Sequence, residues 1–95
     1  MERIEVRNAV IEVVRETQRM SGRPDDGLIT EVTVPIGDLI GFDSHNGIEA
    51  TLLLETRLGR ALPDNLFTDD ANRRALALAE IVARILALEP APEMP

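Results

Sequence analysis

Ser44 is the candidate nucleophile and His45, directly after it, is the candidate base, because the chain has one histidine and no cysteine. A serine hydrolase needs a base that takes the proton from the serine hydroxyl. Adjacent residues at a helix start diverge by about 100° around the axis, so His45 is poorly placed for that role. The stretch 41–47 also lacks the Gly-x-Ser-x-Gly spacing of a nucleophile elbow. The sequence therefore argues against hydrolysis and leaves Ser44 as an unactivated serine.

The acidic residues lack the spacing of a metal site. Asp25-Asp26 and the acids at 64–70 do not show the alternating carboxylates, central glycine and final glutamate of an EF-hand loop. An isolated histidine forms no metal cluster, and there is no glycine-rich phosphate loop. We expect no bound metal, and we expect these acids to cap helices and face solvent.

Charge and composition argue against further classes. Ten Lys plus Arg stand against seventeen Asp plus Glu, and the net charge of −7 disfavours a binder of nucleic acid. Partners with basic surfaces are expected instead. The length of 95 residues predicts one domain rather than a multi-domain enzyme. The charged N-terminal segment, together with the absence of any apolar run near the ~20 residues of a membrane span, predicts a cytoplasmic protein without membrane insertion.

Hydrophobic periodicity predicts an all-α fold in residues 1–88, with three long helices and one short one. The first helix is expected over about residues 2–20, and a long loop over 21–37 follows it. A second helix is expected to begin at Asp43-Ser44, where either side chain can cap it, and to stop at Gly59. A short apolar piece around Leu66 and Phe67 precedes the last helix, expected over about 70–88. The proline-rich residues 89–95 are expected to form a disordered tail.

Aliphatic positions on the three long helices define the predicted core of this bundle. The expected core residues are Val10, Val13, Ile48, Leu52, Leu54, Ile81, Val82 and Ile85.

The residues around Ser44 resemble the acyl carrier protein family, in which a Gly-x-Asp-Ser-Leu motif starts the second helix. Here the motif reads Gly41-Phe42-Asp43-Ser44-His45. The family places an aliphatic residue and a glutamate four and five positions after the serine, then apolar residues at eight, ten and fourteen and an acid at eleven. An Ile/Leu-Pro-Asp turn follows. The matching residues are Ile48, Glu49, Leu52, Leu54, Leu58, Glu55 and Leu62-Pro63-Asp64.

The resemblance implies a four-helix bundle and a role for Ser44 as a modified residue. Family members receive a 4′-phosphopantetheine arm from coenzyme A on this serine, and its thiol carries acyl groups as thioesters for fatty-acid, lipid or polyketide-type synthesis. The chemistry belongs to a separate phosphopantetheinyl transferase, so the carrier is not itself an enzyme and is expected to be a monomer. A phosphodiester at a helix N-terminus is favoured by the free N–H groups and the macrodipole. The predicted core residues could also admit an acyl chain.

The resemblance further implies that the second helix presents acids to basic patches on the transferase and on acyl-loading, synthase or acyltransferase enzymes. The expected recognition residues are Asp38, Asp43, His45, Ile48, Glu49 and Glu55. A structural alternative is that the acids only cap and solubilise the helix.

Three features depart from the family pattern. His45 replaces the usual leucine after the serine. Gly47 sits in the first helical turn, where it costs up to ~1 kcal/mol relative to alanine and loosens the segment. Arg57, with Thr56, stands where acids are common. These departures predict a specialised carrier with dedicated partners. Two alternatives are an aminoacyl or peptidyl carrier and an unmodified, carrier-like helical interaction protein.

Overall fold

A computed structural model describes residues 2–23 and 27–88, and the predicted tail at 89–95 lies outside them. The helices are α1 (Arg3–Met20), α2 (Pro35–Asp38), α3 (Ser44–Leu58) and α4 (Leu78–Ala87), and the strands are β1 (Thr68–Asp69) and β2 (Arg74–Ala75). The prediction of a mostly helical fold is confirmed. The two strands pair antiparallel, so the described chain is not purely α-helical.

Helix α1 supplies one wall of the core through a stripe at steps of three and four residues. Its buried side chains include Val6, Val10, Val13 and Val14, and the helix packs against both α3 and α4. Met20, the last residue of the helix, is 61% exposed. Burial against two helices thus fixes the orientation of α1.

The long connection after α1 is held onto α4 through its backbone. The carbonyls of Thr33 and Glu31 accept hydrogen bonds of 2.7 and 2.9 Å from the amides of Leu78 and Ala79. Since the first amides of a helix have no partner inside it, the loop acts as the cap of α4. Ile29, also on this loop, is buried in the core. Leu28 and Val32 of the same loop are 82% and 81% exposed, so its backbone bonds and Ile29 hold it to the core.

The prediction of a last helix beginning near residue 70 is wrong, because residues 68–75 form a β-hairpin instead. Within its turn the amide of Asn72 donates to the carboxylate of Asp69, and Arg73 adopts a left-handed φ of 52°. Short polar side chains that bond nearby backbone groups favour such turns over helix. The predicted short helix near Leu66 and Phe67 is also replaced by turns. The short element α2, in the long connection, is an irregular turn with non-helical backbone angles at Ile36 and Gly37.

Arg84 of α4 forms hydrogen bonds with the backbone of the segment 65–68, at the start of the hairpin. One nitrogen of its guanidinium donates to the carbonyls of Asn65 and Thr68 at 2.8 and 2.6 Å. Arg74 and Glu80 form an ion pair on the same side, and the Glu80 carboxylate also accepts the amide of Ala77. These bonds replace the packing that a longer last helix would have supplied.

The predicted core is confirmed for Val10, Val13, Leu54, Ile81, Val82 and Ile85, all of them almost fully buried. The prediction is wrong for Ile48 and Leu52, which are 45% and 55% exposed. Neither is among the buried residues of α3, so both side chains reach solvent. Among the described residues, no helix is both long enough and apolar enough to cross a membrane.

Candidate functional site

Ser44 is the first residue of α3 and its side chain is exposed. Asp43, just before it, caps the helix: its carboxylate accepts the amide of Asn46 at 3.0 Å, and the Asn46 side chain accepts the amide of Asp43 at 3.0 Å. This reciprocal pair is a capping box. The expectation that Asp43 or Ser44 caps the helix is confirmed, with Asp43 in that role. Ser44 is thereby left free of a capping duty.

The capping box leaves two helix amides without acceptors. Asp43 and Asn46 satisfy each other, whereas within residues 2–23 and 27–88 no acceptor faces the amides of Ser44 and His45. The Ser44 hydroxyl makes no hydrogen bond within the same part of the chain. The two amides and the N-terminal end of the helix dipole direct partial positive charge toward the surroundings of this hydroxyl.

Asn46 also ties the start of α3 to the end of α1. Its side-chain amide donates to the hydroxyl of Ser21 at 3.0 Å, and Asn46 itself is 8% exposed. Sequence reasoning missed Asn46. The available signal was its position three residues after the capping Asp43, where a polar side chain can reach back to the cap.

Gly47 is closely packed in the structure, contrary to the loosening expected from its low helix propensity. A Cβ added there would lie 3.3 Å from the Cδ1 of Ile36 and 3.4 Å from the Cβ of Phe67. The rings of Phe67 and Phe42 meet with centroids 5.9 Å apart. The glycine therefore lets α2 and the 62–67 segment approach the first turn of α3.

A cleft of about 200 Å³ opens beside Ser44. Its walls are mostly apolar. The lining includes Ile36, Gly47, Ile48, Phe67, Asn65 and Thr68. Sequence reasoning missed the part of this lining that comes from residues 64–68, because it expected a turn and a short helix there. The cleft gives a group attached to Ser44 an apolar wall to lie against.

Two of the predicted recognition residues, Asp38 and Glu55, also have a structural role. Asp38 and Glu55 each accept a backbone hydrogen bond, from the amides of Val34 at 2.7 Å and Leu62 at 2.9 Å. These two acids therefore hold loops at the two ends of α3. Both remain at least partly accessible, so a structural role does not remove them from the surface.

His45 and Glu49 lie one turn apart on α3, with their side chains 3.4 Å from each other. The His45 side chain is 79% exposed. Arg57, near the other end of α3, pairs with Glu12 of α1, so its charge is committed to an inter-helix contact. Helix α3 itself therefore presents acids and apolar groups near Ser44, while its basic Arg57 is held at the far end.

Ile48 and Leu52 form an exposed apolar stripe that continues from Ser44 at steps of four residues. Ile40, just before the helix, is 75% exposed. Apolar side chains left open on a helix otherwise packed into the core are typical of a surface that contacts another molecule. The structure thus brings Ser44, an apolar stripe and the acids Asp43 and Glu49 together at one end of α3.

In the described ranges, no three His, Cys, Asp or Glu side chains come together to form a metal site. A scan against protein-family models, a search of curated proteins and a search of solved structures each found no match.

Proposed function

We propose that this protein is an acyl carrier protein that bears a 4′-phosphopantetheine arm on Ser44. The observation that carries the proposal is the state of Ser44: it is exposed, its hydroxyl makes no hydrogen bond within the described part of the chain, and it begins a helix directly after a capping aspartate. A residue in that setting suits modification by another enzyme better than catalysis of its own. The thiol that the sequence lacks would arrive on the arm.

The free amides of Ser44 and His45 support an anion on the serine. A phosphodiester attached to the Ser44 oxygen would face these amides and the positive end of the α3 dipole. The carboxylate of Asp43 acts in the opposite sense, but it already accepts the amide of Asn46. The local electrostatics thus tolerate a phosphodiester beside an acid.

The predicted carrier-like four-helix bundle belongs to this proposal. In it, α1, α3 and α4 are the three long helices, and the segment 62–75 occupies the place of the short third helix. We expect the protein to act as a monomer in the cytoplasm.

The exposed stripe supports a docking role for α3. Ile48 and Leu52 offer apolar contact next to Ser44, while Asp43 and Glu49 offer charge. Such a surface fits partners that present an apolar pocket with a basic rim, as expected of the transferase and of acyl-loading, synthase or acyltransferase enzymes. Complementary charge speeds encounter without requiring tight binding. In this proposal Asp38 and Glu55 hold loops and add negative charge at a distance.

The cleft beside Ser44 supports a short acyl cargo. The cleft is only about 200 Å³ and opens to solvent, so its apolar wall suits a short chain. A longer chain would need the core around Leu54 and Ile81 to open. Both of these side chains are fully buried in the structure.

The test is intact-mass measurement after incubation with coenzyme A and a permissive phosphopantetheinyl transferase. We expect the wild type to gain one phosphopantetheinyl group and Ser44→Ala to gain none. Ser21 is the other serine of the chain and provides the matched control, since the Ser21→Ala variant should still be modified at Ser44. Folded wild-type protein that stays unmodified with several transferases would contradict the proposal and favour an unmodified interaction protein.

Loading assays then separate the two carrier alternatives. Transfer of acyl groups by acyl-activating enzymes supports the proposal. Exclusive loading by amino-acid-adenylating enzymes would identify an aminoacyl or peptidyl carrier instead.

A further inference from the structure

The side chain of Arg23 lies directly against Gly41, in the turn that leads to Ser44. A Cβ added to Gly41 would lie 2.5 Å from the Nε of Arg23 and 2.8 Å from its Cζ. Gly41 also has a φ of 72°, a conformation that side chains disfavour. The glycine therefore leaves the space in which the guanidinium sits.

The backbone of Arg23 is held at this position. Its amide donates to the carbonyl of Gln18 at 2.8 Å, closing the end of α1. Two residues earlier, Ser21 accepts the side-chain amide of Asn46 from the first turn of α3. These bonds join the end of α1 to the start of α3 and keep Arg23 beside the turn before Ser44.

The guanidinium of Arg23 makes no ion pair or hydrogen bond within the described part of the chain. Other arginines are committed: Arg57 pairs with Glu12, and Arg74 pairs with Glu80. Asp43, two residues after Gly41, takes the amide of Asn46 instead of pairing with Arg23. Arg23 is thus a cation placed next to the serine-bearing turn with its donors available.

We propose that Arg23 is a positioning residue that binds the phosphodiester of the arm on Ser44. The inference rests on the proposed function. Three residues span at most about 11 Å, so Ser44 lies within that distance of the glycine on which Arg23 rests. The arm's phosphorus would be attached to the Ser44 oxygen, and the arginine fork matches two phosphate oxygens. This contact would fix the root of the arm while leaving its thiol end mobile.

The experiment is ³¹P NMR of the phosphopantetheinylated protein. We expect the phosphodiester resonance of the Arg23→Gln variant to be shifted from its position in the wild type. The Arg23→Lys variant should give an intermediate position. Arg73→Gln is the matched control, because Arg73 is exposed and far along the chain, and it should leave the resonance unchanged. Raising the salt to 1 M, where the Debye length is about 3 Å, should move the wild-type resonance toward that of Arg23→Gln.

A second measurement does not depend on a folded variant. In wild type, the Arg23 Nε–H resonance should move between the unmodified and modified proteins. If Ser44 is modified but neither the phosphorus nor the Nε–H resonance responds, the inference is overturned and the proposed function stands. If Ser44 accepts no arm, both are overturned.

Discussion

Asp43 and Asn46 exchange two hydrogen bonds, each 3.0 Å long, at the first turn of α3. Because these bonds satisfy the amides of both partners, the helix start is fixed without any contribution from Ser44. Asn46 adds a third bond to Ser21 and so couples the helix start to α1. The position of the candidate site therefore depends on a residue that the family motif does not include.

We expect Asn46→Ala to lower the free energy of unfolding by about 1–2 kcal/mol, since a lost cap costs that order and the bond to Ser21 is lost as well. Urea denaturation followed by circular dichroism measures the change. Asn8→Ala is the control: Asn8 is exposed on α1, and its side-chain bond, from Arg7 at 3.4 Å, is long. Equal effects of the two substitutions would show that the capping box does not stabilise the fold.

Leu54 and Leu52 lie two residues apart on α3, and their truncation should lower stability to different extents. Leu54 is fully buried, so Leu54→Ala should cost about 2–5 kcal/mol of the free energy of unfolding. Leu52 is 55% exposed, so Leu52→Ala should cost well under half as much. Thermal or urea denaturation of both variants makes the comparison. A larger loss for Leu52→Ala would mean that the stripe is covered in solution.

Ile48→Ser should slow modification of Ser44 with little loss of stability. Ile48 is 45% exposed and one turn after Ser44, so we expect its apolar surface to contact the transferase. The rate of mass gain at limiting transferase gives kcat/KM, and a several-fold decrease is expected. Ile4→Ser, which alters a similarly exposed isoleucine at the start of α1, should leave the rate unchanged. If both variants are modified at the wild-type rate, the stripe is not the docking surface.

The Arg74–Glu80 pair predicts an acid-sensitive contribution to stability. Hydrogen bonds from Arg74 and from the amide of Ala77 lower the pKa of Glu80 to about 2. The folded-state pKa is depressed below the usual value of 4.5, so this contribution is present above pH 4.5 and is lost as the pH falls toward 2. Melting temperatures of wild type and Glu80→Gln should therefore converge over that window. A difference that stays constant from pH 7 to pH 2.5 would contradict this assignment.

Gly47→Leu should destabilise the fold, because the new side chain would collide with Ile36 and Phe67. Overpacking of this kind typically costs about 1–3 kcal/mol, which exceeds the gain in helix propensity of about 1 kcal/mol. Urea denaturation measures the balance. Gly27→Ala is the control, since a Cβ there meets nothing within 4 Å. If the Gly47→Leu variant is as stable as the wild type, Ile36 and Phe67 can move aside at little energetic cost.

Local signals predicted the helices that have both a clear stripe and a clear end. The apolar stripe of α1, the cap at Asp43 and the left-handed stop at Gly59 all follow from residue type and spacing, and the structure confirms them. These features depend on neighbours within one or two turns, which a sequence displays directly.

Tertiary context decided the features that the sequence did not predict. The alanines at 75, 77 and 79 favour helix, yet hydrogen bonding between Asp69 and Asn72 and the pairing of Arg74 with Asp69 across the strands hold residues 68–75 in a hairpin. Ile48 and Leu52 have the spacing of a buried stripe, but burial also requires close packing against a facing element, and the structure leaves them 45% and 55% exposed. Periodicity identifies an apolar face without identifying what covers it.

Because the loop caps α4, the stability of this helix depends on residues more than forty positions earlier in the sequence. Ten residues are too few for a helix that is stable alone in water, and its first amides bond to the carbonyls of Thr33 and Glu31. The loop and α4 therefore open as one cooperative unit, and their amides should exchange with solvent at a common rate. Removing residues 31–33 would therefore remove the acceptors of the first α4 amides and weaken the helix start.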